Sequence, residues 1–142
     1  MKIGQKAPDF SALTLQGKTV TLADYAGHAA AFVFVSPDCK PCREELPRLR
    51  ELLPNARGFG TELVLVSDGD EEKTRPLMDG LGDGLSVLLA PREHNPFFSD
   101  YKAIGTPSYC LIDTNGKVQA AGIGMIELAE RIEALVSNKE RR

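Results

Sequence analysis

Seven consecutive residues, Ala29-Ala30-Ala31-Phe32-Val33-Phe34-Val35, carry no polar side chain and run straight into Ser36-Pro37-Asp38. A strand with apolar side chains on both faces needs cover on both, which a sheet open to water on one side does not supply. The run therefore predicts a central strand of a mainly parallel sheet with helices above and below. Two further apolar stretches, Glu62 to Val66 and Leu85 to Leu89, read as buried strands of the same sheet. Between them the pattern turns helical. Leu46, Leu49, Leu52, Leu53 and Ala56 recur mostly at helical steps, one stripe of a helix that starts near Cys39 and ends at Arg57-Gly58-Phe59-Gly60. Asp70 to Gly80 reads as a second, charged helix.

The ends of the chain complete the pattern. Phe10, Ala12, Leu13 and Leu15, then Gln16-Gly17-Lys18, then Val20 and Leu22 predict an N-terminal hairpin. Phe97, Phe98 and Tyr101 suggest a short helix, followed by a strand from Ser108 to Asp113, a turn at Asn115-Gly116 and a strand from Lys117 to Gly122. Ile126, Ala129, Ile132, Leu135 and Val136 form the apolar stripe of a terminal helix, and the mixed-charge tail Lys139-Glu140-Arg141-Arg142 is expected to fray. Parallel units followed by a hairpin and a helix imply an α/β protein whose mixed central sheet is flanked by helices. A thioredoxin-like fold with an N-terminal β-hairpin extension satisfies this order. With 142 residues and no repeat or linker, a single domain spanning 1–142 is expected.

Charge and cysteine usage narrow the function. Seventeen Lys and Arg against twenty Asp and Glu leave a formal charge of −3, without the basic excess that binding phosphates requires, so no nucleic-acid partner is expected. No apolar run is long enough to span a bilayer, and the opening MKIGQKAPDF lacks a signal-peptide core. Three cysteines are too few for a disulfide framework and leave one over, which points to chemistry at the sulfurs.

Two of them stand in Ser36-Pro37-Asp38-Cys39-Lys40-Pro41-Cys42-Arg43-Glu44-Glu45-Leu46-Pro47, at a strand-to-helix junction. Cysteines three apart on a first helical turn share a face and come within disulfide reach. Cys39 directs its sulfur at unpaired backbone N–H groups and the positive end of the helix dipole, which favour thiolate, and is the expected nucleophile. Cys42, one turn deeper, is the expected resolving thiol. Pro41 is tolerated in the first turn, Asp38 is a candidate helix cap, and Pro47 is deep enough to predict a kink. Zinc would need two further ligands at comparable spacing, and only the scattered Cys110, His28 and His94 are on offer, so no metal is expected. The two histidines are given no role. Cys110, between Tyr109 and Leu111, reads as a core cysteine in preference to a third redox thiol.

A second signal is Ile104-Gly105-Thr106-Pro107-Ser108-Tyr109-Cys110-Leu111-Ile112-Asp113, which places a proline at the start of a buried strand. Taken alone it favours an ordinary turn, with a cis Thr106-Pro107 bond as another way to fit the proline.

Together these segments resemble a known family. DCKPC followed by REELP, then GTPSYCLIDTNGKV, is similar to the TlpA/ResA-type thiol-disulfide oxidoreductases, and SPDCKPC with LVSDGD is similar to their MauD-type members, within the redoxin or AhpC/TSA-like superfamily. The likeness runs from about Gly4 to Leu135 and takes in APDFSALTLQGKTVTLADYAG. It implies electron exchange with a protein thiol or disulfide partner through Cys39 and Cys42, without a cofactor. It also implies a cis Pro107 beside the pair, Thr106 backbone groups that hold the partner's peptide, and a part for Glu45 in the proton chemistry. Asp38, Lys40 and Pro41 would line the partner's path. Glu45 lies one turn beyond Cys42, which suits a proton shuttle as well as it suits a solvated carboxylate. The likeness further implies work outside the cytoplasm behind an N-terminal anchor absent from this chain, as a monomer. A cytoplasmic protein with a mostly reduced pair is the alternative if Met1 is the natural start.

There are departures from that family. Asp38 stands where a Trp usually precedes the first cysteine, and its charge opposes a Cys39 thiolate while Lys40 favours one. Val33 replaces the buried Asp that thioredoxin carries six residues before the first cysteine. A peroxiredoxin-like thiol peroxidase using Cys39 is the alternative activity: Ser36 fits part of that motif, whereas Phe32 occupies the position of its proline. A non-catalytic binding module is the third reading, against which the intact CxxC stands.

Overall fold

In the computed structural model, which describes residues 1–79, 81 and 85–140 with side chains through residue 135, the apolar run is strand β3 (Ala29–Val35). It lies inside a sheet that, among the described residues, has seven strands. The others are β1 (Ser11–Thr14), β2 (Thr19–Thr21), β4 (Thr61–Ser67), β5 (Ser86–Leu89), β6 (Ser108–Ile112) and β7 (Val118–Ile123). Their order is β2-β1-β5-β4-β3-β6-β7. β3, β4 and β5 run parallel, with Phe32 opposite Val64 and Leu65 opposite Val87. The N-terminal hairpin extends one edge, β1 pairing antiparallel with β5, and the β6-β7 hairpin extends the other against β3. The expected mixed sheet is thus present. Asp113 builds the turn between β6 and β7: its carboxylate accepts the N–H groups of Asn115 at 2.8 Å and Lys117 at 3.0 Å, with Gly116 at φ +74°.

Strand alternation deals the core into two layers. Ala31, Val33 and Val35 of β3, Leu63 and Leu65 of β4, and Tyr109 and Leu111 of β6 face one way. They are covered by Leu46, Leu49, Leu52, Leu53 and Ala56 of α1 (Lys40–Gly58) and by Met125, Leu128 and Ile132 of α4 (Met125–Glu140). Phe32, Phe34, Val64, Val66 and Cys110 face the other way, under Phe10, Tyr25, Phe97, Phe98 and Tyr101. Phe97 and Phe98 come from α3 (Phe97–Asp100), a single turn.

Two helical expectations are corrected. The helix expected over Asp70 to Gly80 is one turn of α-helix, α2 (Glu71–Thr74), followed by a 3₁₀ turn Arg75–Met78; Gly80 lies outside the described residues. Pro76 supplies no N–H to continue the i→i−4 ladder, which ends the α-helix there although Arg75 itself keeps helical dihedrals of φ −52° and ψ −44°. α1 continues through Pro47 and Pro54. Second, the buried stripe of α4 starts from Met125 and leaves Ile126 51% exposed, because Leu128 and Ile132 lie on the face of Met125 and not on that of its neighbour. The side chain of Val136 lies outside the described residues; of the tail, Lys139 and Glu140 are helical and 141–142 are not described. Among the described residues no helix is long and apolar enough to cross a membrane.

Candidate active site

The turn from β3 into α1 delivers the first cysteine. Cys39 donates its N–H to the Ser36 carbonyl at 3.1 Å, and at φ −86° and ψ 114° it is the N-cap of α1. Its sulfur accepts the N–H of Cys42, the third helical residue, at 3.2 Å. Asp38, the expected cap, is exposed and one residue too early for its carboxylate to take that place. Pro41 falls in the first turn, where no N–H is missed. Asp38, Lys40 and Pro41 are all exposed around the sulfur, and Lys40 lies 3.9 Å from Glu44.

Cys42 is sealed in the core layer of Leu46 and Tyr109, with no exposed surface. Both residues are free thiols. From across the sheet, the loop before β6 closes on them. The Thr106-Pro107 bond is cis, as the family likeness implied and against the ordinary turn that the local sequence favours. The Cys39 thiol donates to the Thr106 carbonyl at 3.4 Å, and the Pro107 carbonyl accepts the N–H of Gly124 at 2.9 Å.

The two sulfurs are electrostatically unlike. Burial is the largest single influence on Cys39 and opposes its ionisation, but hydrogen bonds with the Cys42 thiol, the Thr106 side chain and the Cys42 backbone N–H outweigh it and hold the thiol below its ordinary range. The Glu45 carboxylate pulls against them. Cys42 is pushed up to about 11, by burial first and by its bond with Cys39 second. One thiol is therefore disposed to ionise while the other keeps its proton. Glu45 is not a solvated twin of Glu44. It is half-buried and accepts the N–H of Met125 at 3.1 Å, tying α1 to the start of α4 beside the pair.

Sequence reasoning missed Gly69. A Cβ there would lie 2.5 Å from the Pro37 ring, so the loop after β4 rests directly on the loop that carries Cys39. Its signal is the glycine of LVSDGD, set just past a strand that ends level with β3.

Cys110 takes no part in this arrangement. It is fully buried on the opposite face of the sheet, and burial pushes its thiol up to about 12 from an ordinary 9.0. Unfolding restores the ordinary value, so the unfolded chain gives up this proton first. The stability that Cys110 contributes is complete below about pH 9 and is lost as pH rises towards 12. Cys42 acts in the same sense up to about 11. The unfolding free energy of the reduced protein is therefore expected to fall between about pH 9 and 11. In Cys110→Ala the fall should be shallower by up to about 1.4 kcal/mol per pH unit, read by urea titration. An equal slope in the variant would show that this thiol does not titrate on unfolding.

Comparison with known proteins agrees with this geometry. The profile of the AhpC/TSA family matches residues 3–121. The thiol-disulfide oxidoreductase ResA of Bacillus thuringiensis subsp. konkukian is 32% identical over 118 residues, 83% of this chain and 68% of that protein. The thioredoxin-like protein YneN of Bacillus subtilis is 28% identical over 138 residues, 93% of this chain and 78% of that one. Among solved structures, the thioredoxin domain of a thiol-disulfide oxidoreductase from Bacteroides vulgatus superposes with a TM-score of 0.81 at 25% identity, covering 96% of this chain and 99% of that one. A candidate thiol:disulfide interchange protein DsbE from Chlorobium tepidum gives 0.80 at 26%, covering 97% of each chain.

Proposed function

This chain belongs to the AhpC/TSA family and is a thiol-disulfide oxidoreductase, and on that premise we propose that Cys39 is the thiol that attacks the partner and Cys42 the one that resolves. The observation that carries the assignment is the placement of the Cys39 sulfur, bonded to the Cys42 N–H and the Thr106 carbonyl at the mouth of α1, with Cys42 sealed behind it.

Reduction of a partner then balances as follows. The Cys39 thiolate attacks one sulfur of the partner's disulfide, forming a mixed disulfide and expelling the other sulfur as a thiolate. Cys42 loses its proton and attacks the Cys39 sulfur, closing the Cys39–Cys42 disulfide and releasing the partner's second thiolate. Two electrons pass to the partner, and oxidation of a partner runs through the same steps reversed. Glu45 is the proposed acceptor of the Cys42 proton. Its place one turn along α1 and its fixed carboxylate support that role. Thr106 and Pro107 seat the partner's peptide, flanked by Asp38, Lys40 and Pro41. The likeness to TlpA-, ResA- and MauD-type proteins supports work outside the cytoplasm, with a membrane tether in the full-length protein.

Trapping tests the assignment. Cys42→Ser, mixed with a disulfide-bearing protein substrate, is expected to accumulate a mixed disulfide through Cys39, identified by mass spectrometry and lost in Cys39→Ser/Cys42→Ser. Failure to trap any adduct would favour a non-catalytic binding module. Millisecond consumption of peroxide at Cys39 in stopped flow would favour the peroxidase.

A further inference from the structure

The parallel strands β3, β4 and β5 end side by side, and an ion pair sits across those ends. Asp68, just past β4, donates its N–H to the carbonyl of Val35, the last residue of β3, at 3.3 Å. Its neighbour Gly69 bears on Pro37. This loop is itself anchored: the buried Ser67 and Thr74 hydroxyls bond at 2.8 Å, and Ser67 Oγ accepts the Gly69 N–H at 3.1 Å. The exit of β4 is thus fastened to the segment that delivers Cys39.

The Asp68 carboxylate, 16% exposed, accepts Arg92 Nε at 2.8 Å. Arg92 lies just past β5. Its guanidinium carbon stands 4.6 Å from the Phe98 ring centroid, and its Nη1 donates to the Ile104 carbonyl at 3.4 Å. Phe98 and Ile104 bracket a short segment in which the Ala103 N–H bonds the Phe98 carbonyl at 2.8 Å. Two residues after Ile104 comes Thr106, whose carbonyl meets the Cys39 sulfur. A planar guanidinium can satisfy a carboxylate, a ring face and a carbonyl together, which an ammonium cannot.

We propose that the Asp68–Arg92 pair is a clamp that sets the spacing between the Cys39 sulfur and Thr106, which makes both members positioning residues for thiol-disulfide exchange. Asp68 grips the Cys39 side and Arg92 the Thr106 side, so neither touches the sulfurs while both fix the gap where the partner's peptide sits. The proposal rests on the reading of Cys39 as the attacking thiol. The groups that bear on Cys39 directly are Cys42 and Glu45 of α1, Thr106 across the gap, and the flanking Asp38 and Lys40. Neither member of the clamp is among them, so any change in Cys39 on breaking it is transmitted through position.

The test follows the pH dependence of Cys39 alkylation by iodoacetamide, located by mass spectrometry, in the wild type, Arg92→Gln and the near-isosteric Asp68→Asn. In both variants the midpoint is expected to move upward, with the rate at pH 7 falling about threefold or more and KM for a cysteine-containing disulfide peptide rising. In the double variant Asp68→Asn/Arg92→Gln the shift should be no larger than in either single variant, because the two residues form one clamp. Wild-type profiles in both single variants, or full additivity of the two in the double variant, overturn the clamp while leaving the exchange function standing. A wild-type Cys39 that alkylates no faster than a free cysteine sinks both.

Discussion

Cys39→Ser is expected to lower the rate of protein disulfide reduction by about a thousandfold or more, to the uncatalysed level, while leaving the fold as stable as before or slightly more so. The loss follows from chemistry: a serine hydroxyl does not ionise near neutral pH and forms no exchangeable bond with a disulfide sulfur. The preserved fold follows from geometry. Residue 39 is the N-cap of α1, and its side chain already accepts the Cys42 N–H at 3.2 Å. Serine is among the best residues for that position. Function and capping rest on the same atom, and this substitution separates them. Insulin reduction reports the first and urea unfolding the second. A residual rate above about a tenth of wild type would show that another sulfur attacks.

The largest effect on stability is expected on the other side of the sheet. Phe97 is fully buried, stacked on Phe10 at 4.0 Å between ring centroids and met edge-on by Phe32 at 5.8 Å, Phe34 at 5.3 Å and Tyr101 at 4.9 Å. It belongs to a single helical turn, too short to persist without tertiary packing. Removing the ring takes away the transfer energy and leaves a cavity walled by four other aromatics that cannot all shift into it. Phe97→Ala should therefore cost about 4 kcal/mol, a large share of the ~5–15 kcal/mol typical of a folded domain. Urea unfolding checks this. A loss below about 1.5 kcal/mol would mean that the aromatic layer collapses onto the gap.

Legibility in the sequence tracked the range of the interaction. β3 spans the predicted Ala29–Val35, and all five residues of the predicted α1 stripe are buried, since both patterns are local periodicities. The CxxC pair was equally plain, its chemistry being contained within one turn. Local competition was harder to read: Pro76 cut short a helix that charge patterning extended, and Met125 outcompeted Ile126 for the core. Illegible were the contacts that exist only once strands are ordered. Glu45 finds Met125 across eighty positions, and Asp68 finds Arg92 because β4 and β5 end together. No spacing rule links such residues before the sheet has formed.

β6 alternates Tyr109 and Leu111 towards α1 with Cys110 towards the aromatic layer, so the sheet stands as a wall between the third sulfur and the other two. Shuffling of bonds among all three would require the strands to separate, and the native chain behaves as though it had one reactive pair and one sleeper. A maleimide that has consumed Cys39 must wait at Cys110 for the whole structure to open, which makes the slow labelling of that residue a clock for global unfolding built into the protein.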